Sequence, residues 1–222
     1  MEKVVVIVSG GLDSVTLLHR FVKKGYDCYP ITFSYGQKHV KEIEYAKRNI
    51  VKLGLQNHKI VDVTALSDTL SSALIQEANT IPDTSQEEQR TPEVLKKTVV
   101  PFRNGIFLSI AIGYANSLGI KTIAYGAHKN DYATYPDCRP AFVYAMELAA
   151  RQGLEDYDFQ LLAPFVSMTK AQIVREGQAY GVDFSLTWSC YRGQEKQCGN
   201  CPSCVERKSA FKGIEDPTEY GI

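Results

Sequence analysis

Ser9-Gly10-Gly11-Leu12-Asp13-Ser14 lies between an apolar run, Val4 to Val8, and a stretch with a helical apolar face made by Leu17, Leu18, Phe21 and Val22. A strand, a small-residue loop and a helix start in that order make a phosphate cradle. Gly10 and Gly11 let the backbone turn tightly with its N–H groups toward an anion, and the helix adds its unpaired N–H groups and positive dipole end. Ser9 and Ser14 add hydroxyl donors. Gly-Gly alone is equally a plain turn, but the six-residue string is more restrictive. It has no lysine where GxxxxGK[ST] requires one, and the chain contains no GxGxxG, so neither a kinase-type phosphate loop nor a dinucleotide site fits.

A second pattern closes the chain, with Cys190 followed by Cys198, Cys201 and Cys204. The Cys-Gly-Asn-Cys-Pro-Ser-Cys run lets successive sulfurs turn toward one ion, and four thiolates converging tetrahedrally are what structural zinc needs. An iron–sulfur cluster and disulfides are the competing readings. With every position filled by sulfur such a zinc has no open site for Lewis-acid chemistry. Binding of this kind is worth about 10 to 16 kcal/mol in isolated peptides, enough to decide whether Tyr191 to Val205 folds. The zinc-binding subregion spans 186–212. Of the other cysteines, Cys28 reads as a small buried hydrophobe. Cys138 stands beside Arg139, where a lowered pKa would make it a sulfur-transfer nucleophile.

Two further segments carry reactive side chains. Arg103 opens a helix, where its charge opposes the dipole; a bound anion rationalises it, a solvated surface charge being the plain alternative. Gly126 to Pro140 mixes Asp131, Tyr132, Tyr135, Asp137, Cys138 and Arg139. Tyrosines for stacking, aspartates for ring N–H donors and an arginine for a carboxylate suit a flat, hydrogen-bonding heterocycle with an acid group.

The elements that must position these residues alternate along the chain. After the first strand and helix, the latter stopped by Gly25, come a strand at Asp27 to Phe33, a helix at Val40 to Leu53 ending at Gly54 and a strand at His58 to Val63. A helix from Phe102 or Arg103 to Leu118, stopped by Gly119, precedes a strand at Thr122 to Tyr125. A helix at Pro140 to Ala150, a strand at Phe159 to Ala163 and a helix at Thr169 to Tyr180, closed by Gly181, complete the series. This alternation predicts a single α/β domain over 1–222, a doubly wound parallel sheet of about five strands of Rossmann-like type. Phe33-Ser34-Tyr35-Gly36-Gln37-Lys38-His39 follows the second strand, beside the phosphate loop, and offers adenine or ribose contacts. The stretch 79–98 breaks the rhythm with Pro82, Pro92 and the polar series Asp83 to Arg90, and is read as a mobile lid at the carboxyl ends of the strands.

Composition narrows the classes. In 222 residues, Lys plus Arg and Asp plus Glu both number 25, so no overall basic field draws the chain to nucleic acid or an anionic membrane. No apolar run reaches the length of a membrane span, and a strand begins within three residues of Met1, which leads to the expectation of a cytoplasmic protein without a leader.

SGGLDS resembles the pyrophosphate (PP) loop of the ATP pyrophosphatase family, whose members use ATP to adenylate a carbonyl or carboxylate oxygen. With SYGQKH, PFRNG, DYATYPDCRPAF and the CxxCxxC tail, the chain resembles the family of 7-cyano-7-deazaguanine synthases of the queuosine pathway over nearly its whole length. The resemblance implies an adenine nucleotide alpha hydrolase-like fold and a carbon–nitrogen ligase that converts 7-carboxy-7-deazaguanine, ammonia and ATP to the 7-cyano base, as a homodimer that does not bind nucleic acid directly. It implies that Val8, Ser9, Gly10, Gly11, Leu12, Asp13, Ser14, Phe33, Tyr35 and Gln37 bind ATP, with Mg2+ bridging the phosphates near Asp13. It implies catalytic parts for Asp13, Ser14, Arg103 and Lys170, the last a phosphate partner if it is not a plain surface lysine. Asp131, Tyr132, Tyr135, Asp137 and Arg139 would grip the base. The rivals are a tRNA-modifying or sulfur-transferring member of the same ATP family, and a non-enzymatic zinc-organised module that would leave SGGLDS without a role.

Overall fold

Val4, Val5 and Val6 are completely buried, as the central strand of a parallel sheet covered on both faces requires. They belong to β1 (Lys3–Ile7), which pairs in parallel with β2 (Asp27–Ser34) on one side and β4 (Thr122–Ala124) on the other. β3 (Lys59–Asp62) extends the sheet beyond β2 and β5 (Gln160–Leu162) beyond β4, for an order β3-β2-β1-β4-β5 with every pairing parallel. The computed structural model describes residues 1–76 and 80–221. Asn79, the first residue of the lid expected from the sequence, and Ile222 lie outside the described residues.

Side chains alternate across the sheet and define two cores. Val4, Val6, Val8 and Ala124 face α1 (Leu12–Lys23), α2 (Lys41–Lys52) and α6 (Lys170–Tyr180) through Leu17, Leu18, Ile50 and Ile173. Val5, Ile31, Phe33, Ile123 and Leu161 face α4 (Arg103–Ser117) and α5 (Pro140–Leu154) through Phe107, Leu108, Ala111 and Ala150. The expected strands and long helices form within a few residues of their bounds. α5 continues past Ala150 to Leu154 because the first stop is a left-handed Glu155, a signal that no glycine announces. α6 starts at a reciprocal cap between Thr169 and Gln172 and ends at Gly181 with φ +75°.

Two helices were not expected. α3 (Pro92–Lys96), capped by Thr91, lies within the proline-broken segment, and α7 (Pro202–Ala210) grows from the cysteine run. The segment 80–98 is tied down: the Thr84 amide donates to the Asn200 carbonyl at 2.8 Å, and the Asn200 side-chain amide donates to Asp83. Among the described residues, no helix is long and apolar enough to cross a membrane.

The chain leaves β1 toward β2 and β3, then returns to β4 on the opposite side of β1. Strand order therefore reverses between β1 and β4, and the loops at their carboxyl ends diverge to open a crevice. Gly10 fixes the first of those loops. Its φ is +97°, and a Cβ there would sit 2.0 Å from the Glu42 carbonyl oxygen and 2.7 Å from the Ala46 nitrogen, so the loop presses directly on the backbone of α2. Gly10→Ala meets backbone rather than a movable side chain and combines a clash with a left-handed strain. A loss of about 2–4 kcal/mol in urea unfolding is expected; an unchanged midpoint would show that α2 can retreat from the loop.

Candidate active site

At the crevice lies a cavity of about 480 Å3. The phosphate loop forms one edge. Ser14 Oγ accepts from the Ser9 amide at 3.1 Å and lies 3.1 Å from the Gly11 carbonyl and 3.2 Å from Ser9 Oγ, while the Gly11 amide donates to Ser9 Oγ at 3.2 Å. The two serines thus brace the loop from within. Gly11 caps α1 without a side-chain acceptor, which leaves first-turn amides of the helix available to an anion.

Beneath this loop the sequence brings distant charges together. Lys170 Nζ, at the start of α6, lies 3.3 Å from Asp13 Oδ2 and 2.6 Å from Glu206 Oε2 on α7. His128 Nε2, after β4, lies 3.6 Å from Asp13 Oδ2 and 3.4 Å from Asp131 Oδ2. Burial by itself would raise the Asp13 carboxyl, but the Lys170 and His128 charges outweigh it and hold Asp13 well below the usual carboxylate range. Burial likewise works against the Lys170 charge, yet Asp13, Glu206 and Asp131 keep it above the ordinary lysine value. Asp131 is pushed up to about 6 by burial and the neighbouring Glu206 carboxylate, against the pull of His128 and Lys170. Lys170 is 8% exposed and is therefore not a surface lysine.

The opposite wall is built around Arg103, the first residue of α4. Its guanidinium donates to Tyr35 Oη at 3.1 Å and, among the described residues, has no carboxylate within ion-pair range. The Tyr135 hydroxyl lies 3.1 Å from Thr98 Oγ1 and 3.4 Å from the Tyr191 hydroxyl. An unpaired guanidinium among phenols is a receptor for an anion of planar geometry.

Of the residues singled out from the sequence, Val8, Ser9, Gly11, Leu12, Asp13, Ser14, Phe33, Tyr35, Arg103, Asp131, Tyr135 and Lys170 line this cavity. Gly10, Gln37, Tyr132, Asp137 and Arg139 do not. Gln37 is buried, accepting from the Tyr35 amide at 2.8 Å and donating to Glu42 at 3.1 Å. Asp137 accepts from the Asn104 amide at 2.9 Å, capping the start of α4 and so orienting Arg103. The Tyr132 hydroxyl donates to the Val166 carbonyl, and Arg139 Nε donates to the Tyr132 carbonyl at 2.9 Å. These four support the wall rather than form its surface. Cys138 is buried, and its thiol is pushed up by that burial rather than lowered by Arg139, which removes the basis for reading it as a nucleophile. Cys28 is 1% exposed, the core hydrophobe expected.

His128, Glu206, Glu42 and Tyr191 also line the cavity, and sequence reading missed their part. Only the position of His128 after β4 was available as a signal; Glu206 and Tyr191 were hidden among the cysteines.

Sγ atoms of Cys190, Cys198, Cys201 and Cys204 lie within 4.8 Å of one another, a donor set that could hold a metal ion. The Cys198 amide donates to Cys190 Sγ at 3.3 Å and the Cys201 amide to Cys198 Sγ at 3.4 Å, as backbone turned around a shared ion does. The cluster joins the segment before it to α7, and both contribute to the cavity wall: Trp188, Ser189 and Tyr191 from the first, Ser203, Val205 and Glu206 from the second. Beside it, fully buried Arg207 reaches Asp216, Thr187 and the Phe184 carbonyl.

A parallel sheet with a Gly-Gly anion loop at its switch point, facing a buried lysine and an unpaired arginine, is the ATP pyrophosphatase type of α/β fold. The solved NMN synthetase of Francisella tularensis has the same fold, with a TM-score of 0.53 at 12% identity over 96% of this chain and 78% of that one. Residues 3–215 match the family described as queuosine biosynthesis protein QueC, and the chain belongs to that family. The 7-cyano-7-deazaguanine synthase of Caldicellulosiruptor saccharolyticus is 47% identical over 99% of this chain and 96% of its own, and that of Psychromonas ingrahamii 45% identical over 99% and 98%.

Because α7 and Tyr191 depend on the cysteine cluster, Cys201→Ser is expected to lose bound metal, lower the melting temperature by several degrees and weaken ATP binding. Metal analysis together with a melting curve checks this; full metal content with normal melting would exclude a four-sulfur site.

Proposed function

We propose that this chain catalyses the ATP-dependent conversion of 7-carboxy-7-deazaguanine and ammonia to 7-cyano-7-deazaguanine, the product in the names of its relatives. The observation that carries the reading is that the SGGLDS loop and the first turn of α1 open onto the cavity that also holds Lys170 and, on its other wall, Arg103. A nucleotide triphosphate and a second, anionic reactant therefore have separate cationic partners in one chamber.

A carboxylate resists amine attack because oxide or hydroxide would have to leave. Transfer of an adenylyl or phosphoryl group turns that oxygen into a good leaving group, ammonia attacks, and the resulting amide needs its remaining oxygen removed in the same way to become a nitrile. Ser9, Gly10, Gly11, Asp13 and Ser14 hold the β and γ phosphates, with Lys170 neutralising the charge that develops as they depart. Val8, Leu12, Phe33 and Tyr35 bound the nucleotide, with Gln37 fixing Tyr35. Asp131 and Tyr135 face the base, with Tyr132, Asp137 and Arg139 as the frame behind them; Arg103 holds the reacting carboxylate or its activated form.

Asp13 Oδ1 is a buried carboxylate oxygen without a hydrogen-bond partner among the described residues, which fits the oxygen donors that Mg2+ demands. Bound there with ATP, Mg2+ would draw charge from the phosphates. Zinc suits the four-sulfur cluster, in a structural part. The chain is read as one unit over 1–222 with a metal subregion at 186–212 and the 79–98 segment, whose Thr84, Arg90 and Leu95 reach the cavity, as its lid. A homodimer is the form the family resemblance implies, in the cytoplasm expected from the sequence; Tyr144, 69% exposed on α5, and Leu148 offer apolar surface for such a contact. The buried, raised Cys138 disfavours sulfur transfer.

Mass spectrometry of a reaction with 7-carboxy-7-deazaguanine, an ammonium salt and Mg-ATP tests this. The 7-cyano base is expected, and AMP or ADP identifies the transferred group. Unchanged carboxylate with intact ATP binding would move the reading to a sulfur-transferring or tRNA-modifying member of the ATP family. Asp13→Ala is expected to cut turnover by about 10^3-fold or more and, by leaving buried Lys170 with Glu206 as its close carboxylate, to lower the melting temperature without unfolding the chain; near-normal turnover would remove Asp13 from the mechanism.

A further inference from the structure

Ammonia carries three protons and a nitrile nitrogen carries none. The reaction proposed above, on which this inference rests, therefore needs a base that faces the incoming nitrogen. Among the described residues, four carboxyls line the cavity: Asp13, Glu42, Asp131 and Glu206. Three are held by basic side chains. Asp13 and Glu206 bracket Lys170 at 3.3 and 2.6 Å, and Asp131 stands 3.4 Å from His128.

Glu42 differs. It sits in the first turn of α2, whose backbone abuts Gly10, so its place relative to the phosphate loop is fixed. Gln37 Nε2 donates to Glu42 Oε1 at 3.1 Å and His39 Nε2 lies 3.4 Å from the same oxygen. Burial and the nearby Arg103 charge push His39 down to about 3, so it stays neutral and does not form an ion pair. Glu42 Oε2 takes no hydrogen bond from any described residue. One oxygen is thus oriented by a neutral amide donor, with a neutral imidazole beside it, and the other is free in the same chamber as Arg103.

We propose that Glu42 is the proton acceptor for the nitrogen that ammonia delivers. The ammonia lone pair forms the C–N bond at the activated carboxyl carbon. The bond from that carbon to the phosphorylated oxygen breaks, its electron pair leaving with the phosphate or nucleotide, and the cationic nitrogen gives one proton to Glu42 Oε2. After Glu42 passes that proton to solvent and the amide oxygen is activated in turn, the same carboxylate takes the second proton as the C=N bond forms. The third passes to Glu42 Oε2, emptied again to solvent, as the last C–O bond breaks and its electron pair leaves with the phosphate or nucleotide to give C≡N. No oxidant or reductant is consumed. Burial holds Glu42 up at about 7 despite the opposing pull of Arg103 and Gln37, which suits a base that must both take and release protons near neutrality.

Steady-state kinetics of Glu42→Gln, with 7-carboxy-7-deazaguanine, ammonium chloride and Mg-ATP, tests the assignment. Gln preserves the size and an acceptor oxygen for Gln37. The kcat for nitrile formation is expected to fall about 100-fold or more, with KM for ATP within about threefold of wild type. An unchanged kcat overturns the proposal, and so does a raised KM for ATP at unchanged kcat, which would make Glu42 a nucleotide contact. Glu42→Asp, one methylene shorter but still a base, should retain clearly more activity than Glu42→Gln; equal loss in both would overturn the proposal. Should Glu42→Gln fail to fold, Glu42→Asp decides by itself: kcat reduced about tenfold at unchanged KM supports the base, and wild-type kcat overturns it. If the wild-type protein forms no 7-cyano base, it is the functional reading that fails, before any variant is compared.

Discussion

The Lys170 ammonium, buried between Asp13 and Glu206, is the interaction on which the rest of the site depends. It ties the phosphate loop to α6 and both to α7, three segments that meet nowhere in the sequence. Desolvating one cation costs several kcal/mol, and the two carboxylates offset that cost only while they hold their places. Their places are set by different devices, Asp13 by the α1 start behind Gly10 and Gly11, Glu206 by a helix rooted in the cysteine cluster. The cluster therefore bears on the loop at Ser9 to Ser14 through Glu206.

Charge is distributed unequally between the two walls. On the Lys170 side, the basic groups Lys170 and His128 are already met by Asp13, Asp131 and Glu206, so an incoming polyphosphate competes for partners that exist. On the Arg103 side, among the described residues, the guanidinium is hydrogen-bonded to the Tyr35 hydroxyl and meets Glu42 only at long range. Phenols do not neutralise a guanidinium. That wall gains most from an anion whose charge is delivered with the ligand, which is the electrostatic reason to seat the carboxylate reactant there and the phosphates across from it.

How much of this was legible in the sequence depended on whether a residue's task is local. Strands and helices were readable because valine runs, amphipathic spacing and glycine stops act within a few residues; Gly181 ends α6 by its own backbone. The strand–loop–helix layout at Ser9 to Ser14 and the convergence of the four cysteines were readable for the same reason, since their geometry is set by adjacent backbone. α7 was hidden because Pro202 to Cys204 reads first as a metal knuckle, and α3 because its five residues fall inside a proline-broken stretch. The pocket segment was only half legible. Its residue types suggested a binding surface, but Asp137 turns away to cap α4 and Tyr132 to the Val166 carbonyl, choices decided by packing that no spacing records.

The same limit explains why Glu42 and Glu206 went unnoticed. Both are acids on helices, the commonest place for a solvated charge, and nothing in their neighbourhood marks them. What distinguishes them is what the fold sets opposite: a buried ammonium for one, a buried neutral amide and imidazole for the other. An identical side chain is thereby given different work, Glu206 held against the Lys170 ammonium and Glu42 left able to exchange a proton. Two carboxyls in one chamber differ in chemistry because the elements behind them differ, α7 bringing its acid into contact with a cation and α2 bringing its acid to neutral neighbours with Arg103 only at a distance.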